Sequence, residues 1–197
     1  MHGKVELQGA RLTDKRFNLA FDDVRGTADY DDHGFTAEKL AVVHDGQPGT
    51  LSLRAGGGVR DPNQVFEAEM AANMAAGALL DRAPELGWLK PYVEDRSQWA
   101  VGVAIPKSSG ANAAPTRLRL RSDLVGTALK LPAPLDKPAG QTLATTINAP
   151  LPLGSGMVDV AFGKLVALRA RSSGNQTGGR VALGSGSVGG APPVSGL

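Results

Sequence analysis

The densest group of potential ligands in this chain is Asp29, Asp31, Asp32 and His33, followed by Gly34. It opens as D-x-D-x-x-G, the start of a calcium loop, in which carboxylates and a tight glycine turn wrap a hard cation. The twelfth position of such a loop should be Glu and here is Leu40. The flanking segments read as strands rather than helices, so the group reads as a hairpin turn built from turn-forming residues. The three histidines, His2, His33 and His44, fall in no H-x-x-x-H or H-E-x-x-H spacing. The absence of Cys removes thiolate ligands and disulfides, though it does not fix the compartment. No metal or cofactor is expected.

Acyl-transfer and glycosidic chemistry find no better support. Gly154-Ser155-Gly156 and Gly184-Ser185-Gly186 lack the G-x-S-x-G spacing of a nucleophile elbow and fall in turns. Glu67 and Glu69 are paired carboxylates on one strand face, but Ala and Met flank them where a glycosidase needs sugar-stacking aromatics. Gly56-Gly57-Gly58 ends a strand and opens no helix, so it is not a phosphate loop. Arg117, Arg119 and Arg121 form a basic stripe that could meet phosphate, yet no interleaved aromatics supply a base-stacking platform. Residues 1–100 carry 16 acidic and 11 basic side chains and residues 101–197 carry 3 and 10, with the basic ones spread through strands and loops. That distribution reads as solvated strand faces rather than a nucleic-acid surface. No catalytic residue is assigned, and the chain is expected not to be an enzyme.

The elements that would carry these residues are strands. With 26 Gly and 13 Pro among 197 residues, a coiled coil or long helical bundle is excluded. Apolar residues reach 42% and net charge is only +2, which argues against a disordered chain. No apolar run of about 18 residues suggests a membrane helix, and Met1-His2-Gly3-Lys4 leads into an alternating segment rather than a signal peptide.

Period-two alternation, the strand signature, recurs from Val24 to Tyr30, from Phe35 to Val43, and, past a turn at Asp45-Gly46-Gln47-Pro48-Gly49, from Thr50 to Arg54. It returns from Val65 to Met74, with Phe66, Ala68, Met70 and Ala72 on one face. Residues 75–95 interrupt it. Ala75 to Leu80 reads as a helix behind an Asn73 cap, and Pro84 opens a second short helix at Glu85–Leu89. Strands resume at Trp99–Ile105 and at Thr116–Ser122, where Leu118 and Leu120 oppose the arginine stripe. Residues 123–140 are Pro-rich and irregular. Further strands are expected at 142–148, 156–162, 164–171 and 179–184. The chain thus divides into a β segment, 1–171, and a Gly/Ser-rich weak strand with a flexible end, 172–197.

One segment is recognisable. Ser122-Asp123-Leu124-Val125-Gly126, followed by Leu131-Pro132-Ala133-Pro134-Leu135-Asp136-Lys137, resembles the S-D-L-x-G … L-P-x-P-x-x-K segment of the large YhdP-type, AsmA-like proteins of Gram-negative bacteria. Phe21-Asp22-Asp23-Val24-Arg25-Gly26-Thr27, Gly34-Phe35-Thr36-Ala37, Gly46-Gln47-Pro48 and Gln98-Trp99 are similar to that family in order and spacing, over roughly residues 17–185. The resemblance implies an inner-membrane-anchored protein whose long periplasmic part is an elongated, strongly curved antiparallel sheet with a hydrophobic groove. It implies that phospholipid acyl chains travel along that groove between the two membranes. With no membrane helix here, it also implies that this chain is an internal portion of a longer protein, and about ten strands at about 4.8 Å would cover about 50 Å of groove.

The residues fit that implication. Each strand has one apolar face of modest bulk, and scarce aromatics leave such a face lined rather than filled. Val101, Val103, Ile105, Leu118, Leu120, Val158, Val160, Phe162, Val166 and Leu168 are expected to line the groove. Ala28, Tyr30, Leu51, Leu53, Phe66, Met70, Leu143, Thr145 and Ile147 form a second rank. The expected partners are acyl chains and the remainder of the same long protein, not nucleic acid. The alternative is a structural or assembly module that assists outer-membrane biogenesis by pairing its strand edges with envelope proteins. A glycan-binding or enzymatic β-sandwich fits least.

Overall fold

A computed structural model of the chain describes residues 1–14, 19–81, 89–107, 114–133, 135–153, 156–173 and 176–184. Its strands are β1 (His2–Asp14), β2 (Leu19–Asp31), β3 (Gly34–His44), β4 (Gln47–Gly56), β5 (Gln64–Ala75), β6 (Val93–Pro106), β7 (Thr116–Ser122), β8 (Thr127–Leu129), β9 (Thr145–Leu151), β10 (Gly156–Phe162), β11 (Val166–Ser173) and β12 (Gln176–Leu183). One short helix among the described residues, α1 (Ala76–Asp81), follows β5. The strands pair in the order β1-β2-β3-β4-β5-β6-β7-β9-β10-β11-β12, and β8 pairs with β6 off that path. The protein is therefore mainly β, an open antiparallel sheet of consecutive hairpins.

The chain forms two compact units. One contains Met1–Asn73 and Ala100–Thr116, the other Met74–Trp99 and Arg117–Leu197. In the first, the hairpin turns follow from their residues. Asp31 Oδ1 accepts the N–H groups of His33 (2.7 Å) and Gly34 (2.9 Å), which closes the β2–β3 turn. The β3–β4 turn is narrower than expected. Asp45 and Gly46 (φ 49° and 72°) make a two-residue loop and Gln47 already pairs with His44, as primed turns require.

Two irregularities decide which residues share a face. The β3–β4 register shifts between Ala37 and Leu40, where Lys39 takes φ 50°. Ala37 lies opposite Leu53 and Leu40 opposite Leu51, so both stay on one face although three residues separate them. The β1–β2 ladder shifts likewise: Val24 lies opposite Ala10 and Phe21 opposite Leu12, with Asp23 at φ 49° between them. Each bulge adds one residue and restores the apolar register. Leu51, Leu53, Met70, Ala68 and Phe66 then continue the same face across β4 and β5.

In the second unit the helix starts at Ala76, and Asn73 belongs to β5, so Asn73 does not cap it. The second helix expected at 85–89 falls mostly outside the described residues, and residues 89–92 form a short 3-10 turn. The segment after β7 is ordered by hydrogen bonds rather than by period. β8 pairs Val93 with Leu129 and Asp95 with Thr127. Gly126 N–H donates to Ala139 O (2.8 Å), Leu129 and Lys137 exchange both backbone bonds (2.9 Å each), and Leu143 N–H donates to Asp123 O (2.7 Å). No helix among the described residues is long and apolar enough to cross a membrane.

Candidate functional site

In the second unit, cross-strand register sorts the side chains of β9 to β12 by face, because directly opposed residues point the same way. Thr145, Phe162, Val166 and Leu183 form one row across the sheet; Ile147, Val160, Leu168 and Val181 form the next. Val158 and Ala170 follow. All are apolar or weakly polar. The opposite face pairs Asn148 with Asp159, Asp159 with Arg169, and Arg169 with Arg180. It is tied by Arg169 Nε donating to Asp159 Oδ1 (2.5 Å) and Arg119 Nε donating to Asn148 Oδ1 (3.0 Å). Arg119 therefore stands on the polar side. In β7 the three arginines are exposed and Leu118 and Leu120 half-buried, the alternation that the sequence suggests.

Part of the apolar face is covered. Trp99, Leu124, Leu129 and Leu143 form a buried cluster, and Met74, Leu79, Val93, Leu120, Ile147, Phe162 and Leu165 pack against it. The cover comes mainly from the segment that follows β7, and its recognisable residues each have a mechanical task. Ser122 Oγ donates to Gln98 O (2.7 Å) and accepts from Leu124 N–H (3.0 Å). Asp123 Oδ1 accepts from Val125 N–H (3.0 Å). Gly126 sits at φ 101°, and a Cβ there would lie 2.2 Å from Arg96 O, so no other residue fits. Thr127 Oγ1 donates to Ser97 Oγ (3.0 Å), with both residues buried.

Lys137 is the least expected member. It is only 3% exposed. Its Nζ donates to three carbonyls, Leu124 O (2.9 Å), Pro138 O (3.0 Å) and Gln141 O (2.7 Å). Burial lowers its pKa below the ordinary lysine value, and Asp123 partly opposes that shift.

A family model for the YhdP protein matches residues 1–195. The chain belongs to the YhdP family. No curated protein and no solved structure matches it.

Within this YhdP-family chain the ten expected lining residues fall as follows. Val158, Val160 and Leu168 are half-buried members of one apolar face, with Phe162 and the buried Val166 in the row at its covered end. Leu118 and Leu120 are half-buried on β7, and Leu120 touches the cluster. Val101, Val103 and Ile105, in the other unit, are half-buried, as are the residues between them, so burial does not distinguish the two faces of β6 there. In the second rank, Leu143 lies outside the strands, in the covering segment, and is buried.

The first unit divides its faces in the same way. Val24, Leu40, Val42, Leu51, Met70 and Ala72 are buried, while Val5 and Tyr30 are exposed. On the other face Arg54, 3% exposed, holds Glu38 in a two-point bond, Nε to Oε1 and Nη2 to Oε2, both 2.6 Å. The Arg54 guanidinium keeps the Glu38 carboxyl below the usual carboxylate range. Arg60 adds contacts to Glu38 and Glu69 (3.6 and 3.7 Å). Glu67 Oε1 and Oε2 accept the Asp61 and Arg60 backbone N–H groups (2.9 and 3.1 Å), so Glu67 and Glu69 serve the sheet's polar side.

The Asp29–Gly34 group is likewise engaged. Asp31 accepts two backbone N–H groups, which hold its carboxyl below the ordinary range, and Asp32 pairs with the N-terminal ammonium (2.5 Å). Among the described residues no three His, Asp or Glu side chains are placed to hold a metal ion. Sequence reasoning missed the two bulges, Arg54 and Lys137. The three-residue spacings Phe21–Val24 and Ala37–Leu40 are the signal that could have revealed the bulges.

Proposed function

We propose that this chain contributes a stretch of apolar sheet surface along which phospholipid acyl chains pass, without catalysis, between the inner and outer membranes of a Gram-negative envelope. The protein acts in the periplasm, as part of an inner-membrane-anchored assembly. The observation that carries the reading is the division of the β9–β12 sheet. Val158, Val160 and Leu168 share one face, and Asn148, Asp159, Arg169 and Arg180 share the other. Membership of the YhdP family supports it.

Acyl chains lie on the apolar face and headgroups remain in water. Each CH₂ buried is worth about 0.8 kcal/mol, so an even apolar surface holds the lipid at nearly constant energy as it slides. The ten lining candidates take this role, with Leu118, Val158, Val160 and Leu168 the best placed in the second unit. A photo-reactive amino acid at Leu118 in the protein in cells yields phospholipid adducts, and one at Arg119 does not. Adducts at Arg119 with none at Leu118 would sink the assignment.

A further inference from the structure

Within the second unit the apolar face does not offer one uniform surface. At the end where the Gly163–Leu165 turn joins β10 to β11, the face meets protein. Phe162, Ile147 and Leu120 pack on the Trp99, Leu124, Leu129 and Leu143 cluster. Thr145, in the row of Phe162, is 2% exposed, and Val166 in the same row is also buried. A Cβ on Gly163 would already lie 3.2 Å from Leu143 Cδ1. Gly163 N–H donates to Ala144 O (2.6 Å), so turn and cover are bonded to each other. Two rows further along the same strand, Val158 and its partner Ala170 are only half-buried. On β12, at the edge, both rows are exposed, Leu183 at 68% and Val181 at 62%, so the cover reaches β9 to β11 and not β12.

We infer that residues 124–133 and 135–143 are a built-in side wall for the acyl-chain track in this unit, closing it at one end of the strands. The segment takes the place of lipid over the Thr145–Phe162–Val166 row, and Lys137 is the positioning residue that holds it there. The inference rests on the proposed lipid function and adds where the lipid can lie. The geometry supports it in two ways. Thr145 and Val166, on either side of Phe162 in its row, are buried, and the half-buried Phe162 packs on the cluster, which leaves little room there for an acyl chain. The cover is also held by directed bonds rather than by apolar contact alone. Lys137 joins carbonyls at both ends of the segment, Leu124 at one and Pro138 and Gln141 at the other. A segment closed in this way stays over the face when lipid competes for the same surface.

The test places a diazirine-bearing amino acid singly at Phe162, Val158 and Leu168 in the protein in cells and measures phospholipid adducts by mass spectrometry. Adducts at Val158 and Leu168 exceed those at Phe162 by roughly tenfold, since close packing excludes lipid from the covered row. Equal adducts at all three sites overturn the side wall and leave the lipid function standing. No adducts at any of them, with none at Leu118, overturn both. In a Lys137→Met background adducts at Phe162 rise towards the Leu168 level while those at Leu168 persist. General loss of structure would not give that pattern, because it lowers both. If Lys137→Met does not accumulate, Leu143→Ala thins the same cover and gives the same gain at Phe162. A folded variant of either kind with no gain at Phe162 counts against the inference.

Discussion

Replacing Lys137 with Met keeps the length and most of the volume of the side chain but removes the ammonium. Three carbonyl oxygens, on Leu124, Pro138 and Gln141, then lose a donor at 2.7 to 3.0 Å. Leu124 O and Pro138 O keep the Thr127 and Gln141 N–H donors (3.1 Å each), so what is lost is the three bonds to a charged donor, at about 1.5–3 kcal/mol each, or about 5–9 kcal/mol gross. Against this, the variant no longer buries a charge, and that relief is worth several kcal/mol. The net expectation is a loss of about 3 kcal/mol, from those lost bonds less the relieved desolvation. Urea unfolding of the purified protein measures it. Trp99 sits in the cluster that the segment covers, and the chain has only two Trp, so a Trp88→Phe background isolates its emission. The folded-state pKa of Lys137 is lowered, so between that value and the ordinary lysine pKa the unfolded chain binds more protons. Its contribution to stability therefore rises with pH across that window. The gap between wild type and Lys137→Met widens there. A variant within about 0.5 kcal/mol of wild type, inside the range of ordinary surface substitutions, with unshifted Trp99 emission, would refute the claim that this ammonium holds the segment.

Three further outcomes follow from the same geometry. Gly126→Ala sets a Cβ against Arg96 O in a backbone conformation disfavoured for L-residues, and thermal denaturation should show a loss of about 2 kcal/mol or more. Glu38→Gln weakens the bond to buried Arg54. Because the Glu38 pKa is lowered, its contribution is present above the ordinary glutamate value and is lost as pH falls through the folded value. An acid titration of stability should be shallower in the variant, and an unchanged slope would contradict the pairing. Val160→Asp puts a charge on the apolar face, while Ala161→Asp puts one on the opposite face of the same strand. A lipid-transfer assay in cells should show loss with the first and little change with the second, and the reverse order would exclude the proposed face.

The legibility of this fold varied with how local its determinants are. Thr116–Ser122 and Gly156–Phe162 were readable because alternation is a property of the strand itself. The bulges at Asp23 and Lys39 were not, since an extra residue is recognised only against a partner strand. The Asn73 cap failed for a related reason: propensity favoured a helix, and pairing in β5 prevailed. Residues 123–143 show no period at all. Their order comes from hydrogen bonds to residues thirty and more positions away, such as Thr127 to Ser97 and Lys130 to Tyr92. A lysine in a Pro-rich stretch reads as solvated, and only the three carbonyls around it show otherwise. That Val158, Val160, Phe162, Val166 and Leu168 share a face was legible from alternation, but the burial of Thr145 and Val166 on it was not.

The scarcity of bulky side chains acquires a physical role in the first unit. Its larger residues are set against glycine on the neighbouring strand. A Cβ on Gly26 would lie 2.8 Å from Leu40 Cδ2, and one on Gly3 would lie 2.4 Å from the Tyr30 hydroxyl. Leu40 and Tyr30 therefore lie across their neighbours instead of standing out from the sheet. Folded over glycine, these two side chains raise the apolar face less than upright ones would. A ligand held by shape would need pockets, and pockets need relief. An acyl chain held only by the exclusion of water needs the opposite, because every step in height interrupts its contact and raises the energy of the next displacement. On the proposed lipid function, the pairing of Gly26 with Leu40 and of Gly3 with Tyr30 suits a surface for sliding, and substituting Gly26 or Gly3 should hinder passage by roughening the face as well as straining the strand.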